Sequence, residues 1–206
     1  MWEALFAYAV ALFVLVSLAT RTGLCRSNTL LYAYYGLMAF AAVHVAAAVP
    51  SVHNGALVIA AVLSHHIART ADPGSVYYVD LKSRDPVPPR CSICGRHVKG
   101  FDHHCGWLAT DIGARNVTYF RAFLIAHLMV CAILASESFI FLADVTARMN
   151  LWDVTYRVGD ERNVTATRFL VAQYLGQHHM SHFLTMLLGV AVGFSLSVFT
   201  AMHYLK

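Results

Sequence analysis

The sequence predicts an all-α fold: a multipass transmembrane helix bundle of four to five spans, interrupted by a small polar insertion bearing cysteine and histidine. Three observations carry this prediction. Of 206 residues, 58% are hydrophobic and only 13% charged, about half the charge of an ordinary soluble domain. Mean hydropathy is +0.57, and apolar runs long enough to cross a bilayer recur along the chain. Cys91, Cys94 and Cys105 all fall in one polar segment between those runs. The same composition excludes a disordered chain, which needs low hydrophobicity and high charge. Five cysteines are too few for a disulfide scaffold. The net charge of +4 is small, and the basic residues flank hydrophobic runs, as suits anionic headgroups rather than nucleic acid.

The first apolar run, residues 3–19, lacks the positive start of a signal peptide, and Arg21 and Arg26 follow it. It reads as a retained anchor with its N-terminus outside. Further runs cover 30–49, 55–70, 119–143 and 183–204; the third is marginal, because His65 and His66 shorten its apolar core. Arg69, Lys82, Arg84, Arg90, Arg96, Lys99, Arg115 and Arg121 crowd the connection between the third and fourth runs. By the positive-inside rule that connection is cytosolic. The expected organisation is N-terminal spans over 1–70, a cytosolic segment over 71–118, and a transmembrane hairpin over 119–206 with a lumenal loop at 146–181. Within that loop, apolar spacing over 164–175 predicts a short helix on the outer membrane surface. Asn163-Val164-Thr165 is a glycosylation sequon on the same side.

The chemistry lies within 91–116: Cys91-Ser-Ile-Cys94, His97, Asp102-His103-His104-Cys105, Trp107 and Asp111. A Cys-x-x-Cys turn with histidine at short range supplies ligands for tetrahedral Zn²⁺. The segment has too little apolar content to fold around a core of its own, and a metal would organise it. Cys91 and Cys94 are natural ligands by spacing, completed by one histidine of the pair and one further group. Cys105, the other histidine and Asp102 then form a thiol–imidazole–carboxylate set suited to nucleophilic catalysis. Spacing alone does not say which histidine does which job.

These residues resemble the DHHC-type protein S-acyltransferases (palmitoyltransferases). Asp102-His103-His104-Cys105 matches the family's signature tetrad, with Trp107 after it. Gly113-Ala-Arg-Asn116-Val-Thr-Tyr-Phe120 is similar to the family's Gly-x-x-Asn-x-x-x-Phe entry into a span, and Asp72-Pro73-Gly74 to its Asp-Pro-Gly after one. The resemblance implies that Cys105 takes the acyl chain from acyl-CoA, with His103 as general base and Asp102 orienting it. It implies His104 as a zinc ligand with Cys91 and Cys94. Asp111 stands where the family has its last cysteine ligand, and a carboxylate can replace a thiolate on Zn²⁺. His97 is a solvated loop residue or a substitute for Asp111.

The pattern also departs from the family's. No cysteine lies between Cys25 and Cys91, Arg90 and His97 stand at positions of a second site, and one zinc is expected instead of two. Gly106 replaces the proline after the tetrad, and the family's Thr-Thr-x-Glu is at best Thr200-Ala201-Met202-His203. The resemblance implies palmitoyl transfer from palmitoyl-CoA to proteins with cytosolic juxtamembrane cysteines, in the endomembrane system (ER or Golgi) or the plasma membrane, and no nucleic-acid partner. The alternative is a catalytically degenerate membrane adaptor or partner subunit that retains the zinc-bound loop. Among remaining polar groups, Glu137 reads as a hydrogen-bonded interhelical residue rather than part of a relay with His44 and His127. Cys25 is a candidate for S-acylation of the protein itself or a silent interfacial thiol. Cys131 reads as a small buried apolar residue.

Overall fold

The computed structural model describes residues 29–48, 51–76, 86–158 and 162–205. The predicted first span at 3–19, Cys25, Lys82 and Arg84 lie outside the described residues. Apolar, β-branch-poor sequence builds helix α1, Thr29–Ala48. Ser51 then caps α2, Val52–Thr70, its hydroxyl accepting the Asn54 N–H at 3.4 Å. The buried residues of α2 are Asn54, Val58, Ala61, His65 and Ala68. They alternate steps of four and three, which puts them in one stripe along the helix. Pro73 keeps Asp72 out of helical backbone, and α2 ends at Ala71 in extended conformation.

The insertion that follows consists of short antiparallel pairs. Strand β1 (Ser75–Val76) pairs with β2 (His97–Val98), and β3 (His103–Cys105) with β4 (Thr110–Ile112). Helix α3, Val117–Arg148, comes next. Beyond it lie a hairpin of β5 (Thr155–Val158) and β6 (Arg162–Thr165), helix α4 (Arg168–His178) and helix α5 (Met180–Tyr204). The described residues are therefore mostly helical. Three two-stranded ribbons serve where the polar segments must satisfy their backbone groups without an apolar helix face.

Three described helices are long and apolar enough to cross a membrane: Leu30–Ala47 within α1, α3, and α5. The expected count of four to five also includes the run at 3–19, outside the described residues, and the marginal third run. The marginal third run forms α2, whose 19 residues reach about 28 Å, but His53, Asn54, His65, His66 and Arg69 lower its hydropathy. Helix α3 has 32 residues and is about 48 Å long, exceeding a ~30 Å hydrocarbon core. Its last turns, with the Asp144–Arg148 ion pair, therefore extend beyond the apolar run.

Helix α3 packs against α2 on one side and α5 on another, with α1 beside α2. Small residues set the α3–α5 approach. A Cβ on Gly189 would stand 2.9 Å from the Ala135 Cβ and 3.0 Å from the Cys131 carbonyl oxygen, the close backbone contact typical of membrane helix pairs. The predicted outer helix begins at Arg168, not at 164, because residues 162–165 are consumed by β6. Its Val171 and Leu175, one turn apart, bury themselves against Leu142, Val145 and Leu151.

Candidate functional site

The insertion folds onto the end of the bundle where α2 finishes and α3 begins. Asp72 accepts the N–H groups of Gly74 and Ser75 at 3.0 Å each, which hold its carboxyl below the ordinary value, and its other oxygen pairs with Arg115 at 2.8 Å. Gly113 lies hard against the same turn: a Cβ there would meet the Pro73 carbonyl oxygen at 2.4 Å and Val98 Cγ1 at 2.5 Å. The two motifs flanking the insertion thus form one joint.

Cys91, Cys94, His104 and Asp111 bring one ligand atom each to within 4.8 Å of one another. The Cys91–Gly95 turn is tight. The Gly95 N–H reaches the Cys91 carbonyl at 2.9 Å, the Ile93 and Cys94 N–H groups point at Cys91 Sγ, and Gly95 holds φ +72°. From the facing strands, His104 Nδ1 stands 3.7 Å from Cys91 Sγ and 2.7 Å from Asp111 Oδ1, and Cys94 Sγ lies 2.7 Å from Asp111 Oδ2. Metal–ligand bonds of 2.0–2.3 Å in a tetrahedron separate ligands by roughly 3.3–3.8 Å, so this donor set could close on a metal ion with shifts of about an ångström. Asp111 is wholly buried. Burial alone would raise its pKa, but bonds from Cys94, Cys91 and His104 hold it below the usual carboxylate range. His97 is not in the set; its Nδ1 donates to the Pro88 carbonyl at 2.7 Å.

Strand alternation separates the two histidines. In β3 successive side chains point to opposite faces, and the register sets His104 opposite Asp111 and Cys105 opposite Thr110. His104 therefore shares the metal-binding face with Asp111, while His103 and Cys105 share the other. On that face His103 Nδ1 donates to Asp102 Oδ2 at 2.8 Å. Phe120 meets the His103 ring edge-on at 5.1 Å. Cys105 is buried in an apolar cluster with Tyr34 of α1, Ala68 of α2, Leu108, Ile112, and Phe120, Phe123 and Leu124 of α3. Burial pushes its thiol up to about 11, against the pull of the Leu108 and Trp107 N–H groups. Gly106 does not carry the backbone strain of this turn; Ala109 does, at φ 50°.

Several of the basic residues around the insertion have local partners. Arg90 donates to the Gly95 carbonyl, Arg96 reaches Cys94 and Asp111, Arg115 pairs with Asp72, and Arg121 lies over the Tyr204 ring at 4.9 Å. The polar residues of the spans meet separate neighbours. Asn54 donates to Glu137, the Tyr34 hydroxyl bonds His127 at 3.0 Å, and His44 lies edge-on to His182 at 5.2 Å. They form no relay among the described residues. Two further contributors are Asn116, which braces β4, and His203, whose Nδ1 stands 3.4 Å from Asp102 Oδ2. The sequence carries Asn116 only as a motif position, and the His203 contact exists only because α5 returns to the insertion.

Among the described residues, three apolar helices of spanning length and a four-residue cluster that could hold a metal, beside a buried thiol, define a multipass membrane protein built around a cysteine–histidine insertion. The chain belongs to the DHHC palmitoyltransferase family, whose model matches residues 86–206. It is 40% identical over 87 residues to palmitoyltransferase ZDHHC4 of Bos taurus, covering 41% of this chain and 25% of that protein. It is 41% identical over 58 residues to protein S-acyltransferase 8 of Arabidopsis thaliana, covering 27% and 14%. With palmitoyltransferase Hip14 of Drosophila melanogaster it shares 50% identity over 50 residues, covering 24% and 8%. The aligned stretches span a quarter or less of these relatives' lengths.

Proposed function

We propose that this protein is a membrane protein S-acyltransferase that moves a long-chain acyl group, such as palmitoyl, from acyl-CoA to protein cysteines through Cys105. One observation carries the reading: Cys105 is buried among apolar side chains from three helices, on the strand face it shares with His103, whose Nδ1 is bonded to Asp102. A thiol so placed can take an acyl chain that stays within the bundle. Burying about fifteen methylenes is worth around 12 kcal/mol at roughly 0.8 kcal/mol each.

In the first step Cys105 Sγ attacks the acyl-CoA carbonyl as its proton passes to His103 Nε2. The carbon–sulfur bond to CoA breaks, and the proton goes to the departing CoA thiolate. In the second step a substrate cysteine attacks acyl-Cys105, its proton passes to His103, and Cys105 leaves as the restored thiol. Asp102 fixes the Nδ1–H tautomer of His103, leaving Nε2 as the acceptor. Cys91, Cys94, His104 and Asp111 would hold one zinc ion. A bound ion would clamp the Cys91–Gly95 turn to β3 and β4 and so hold the strand that carries His103 and Cys105. The site faces the cytosol, where acyl-CoA and juxtamembrane cysteines are available.

The test is a fatty-acyl-CoA labelling assay on the purified full chain. Wild type acquires a hydroxylamine-labile adduct and Cys105→Ser does not. Equal labelling of the two overturns the proposal and leaves the binding-only adaptor.

A further inference from the structure

Two imidazoles converge on one carboxylate oxygen. Asp102 Oδ2 accepts His103 Nδ1 at 2.8 Å, and His203 Nδ1 stands 3.4 Å from the same atom. His203 belongs to the last turn of α5 and is buried at 6% exposure. Phe120 meets its ring edge-on at 5.2 Å, and Phe199, one turn earlier, lies parallel to it. The same two phenylalanines flank His103, at 5.1 and 6.2 Å. Both histidines therefore sit in one aromatic enclosure and address one acceptor.

We infer that His203 is a positioning residue for acyl transfer: its Nδ1–H holds the Asp102 carboxylate in the plane that orients His103. The inference rests on the transferase reading above and adds a residue to it. Each turn of the Asp102 carboxylate plane would carry the His103 ring with it. A donor from a different helix restrains that rotation. Catalytic hydrogen bonds of this length often tighten as the reacting groups arrive. His203 stands against Asp102, so its effect travels through the carboxylate. It also ties the end of α5 to the insertion, so displacement of that helix would misalign His103.

Two substitutions separate the hydrogen bond from the packing. His203→Phe keeps an aromatic ring against Phe120 and Phe199 and removes the donor. His203→Asn loses the ring but places an amide N–H where Nδ1 was. The experiment measures the single-turnover rate of acyl-Cys105 formation against the concentration of a fluorescent palmitoyl-CoA analogue. It uses the purified full chain with its metal content quantified, and Cys105→Ser as blank. The expected result is a maximal rate lowered roughly tenfold in His203→Phe, with unchanged half-saturating concentration and metal content. His203→Asn should stay within about twofold of wild type. A His203→Phe rate equal to wild type overturns the inference. So does equal slowing of both variants, which assigns the residue to packing; in either case a labelled wild type and a blank Cys105→Ser leave the transferase reading standing. Wild type that labels no better than Cys105→Ser removes that reading and this inference together.

Discussion

The side chain of Asn116 bonds in two directions: its amide donates to the Asp111 carbonyl at 2.9 Å, and its own oxygen accepts the Gly113 N–H at 2.9 Å. It is fully buried at the N-cap of α3, so the strand carrying one proposed metal ligand is fastened to the start of a membrane helix. Truncation would leave a buried acceptor and a buried donor without partners. Asn116→Ala should cost about 2–4 kcal/mol and lower metal occupancy without touching any ligand. Thermal unfolding in detergent, with metal content measured on the same samples, checks both effects.

The Gly113 joint makes a sharper contrast. A methyl group there would meet backbone oxygen at 2.4 Å, and a carbonyl cannot rotate away as a flexible side chain can. Gly113→Ala is expected to destabilise by about 3 kcal/mol or more and to yield little monodisperse protein. At Gly55, in α2, nothing lies within 4 Å of an added Cβ. Gly55→Ala should be neutral or stabilise by up to ~1 kcal/mol, the helix-propensity difference. Size-exclusion profiles and melting temperatures of the two variants, side by side, test the assignment.

What sequence makes readable here is what depends on local spacing. Helices α1, α3 and α5 follow from apolar run length, and the Cys91–Cys94 turn follows from two cysteines separated by two residues. The placement of His103 and His104 on opposite faces depends on β3 pairing with β4, and on a register that sets His104 opposite Asp111. A one-residue slip would exchange the two faces, and nothing local prevents one. The grouping of Asp111, and not His97, with Cys91, Cys94 and His104 has the same origin, since His97 is held by β2 and by the Pro88 carbonyl. His203 and Asp102 meet only because α5 returns to the insertion. The ribbons escape detection because strands of two to four residues are too short to show a period.

The donor set itself predicts graded responses to substitution. Wild type should carry one zinc ion per chain by elemental analysis. Cys91→Ser and His104→Ala should release it and destabilise the insertion, because each removes a ligand from a site with little else to organise it. Asp111→Cys should retain the ion, since a thiolate serves a tetrahedral zinc site as well as a carboxylate does. Loss of zinc in Asp111→Cys to the level of Asp111→Ala would place the fourth ligand elsewhere.

Glu137 lies within α3, where an ionisable side chain is first suspected of transport or proton relay. Its partner speaks for another role. Asn54 Nδ2 donates to Glu137 Oε2, joining α2 to α3 on the side of the bundle away from the insertion, while His127 is bonded to Tyr34 and His44 lies against His182. A glutamine can accept the same amide hydrogen without carrying charge, whereas an alanine cannot. Glu137→Gln should therefore keep both stability and the rate of Cys105 acylation within about twofold of wild type. Glu137→Ala should lose about 1–3 kcal/mol by removing the acceptor of a buried amide hydrogen, and Asn54→Ala should lose a similar amount. The double variant should cost less than the sum of the two, because the second change removes a group already without its partner. Melting temperatures across that four-member cycle, with acylation rates on each, decide the matter: a large rate loss in Glu137→Gln at unchanged stability would mean that the charge itself is used.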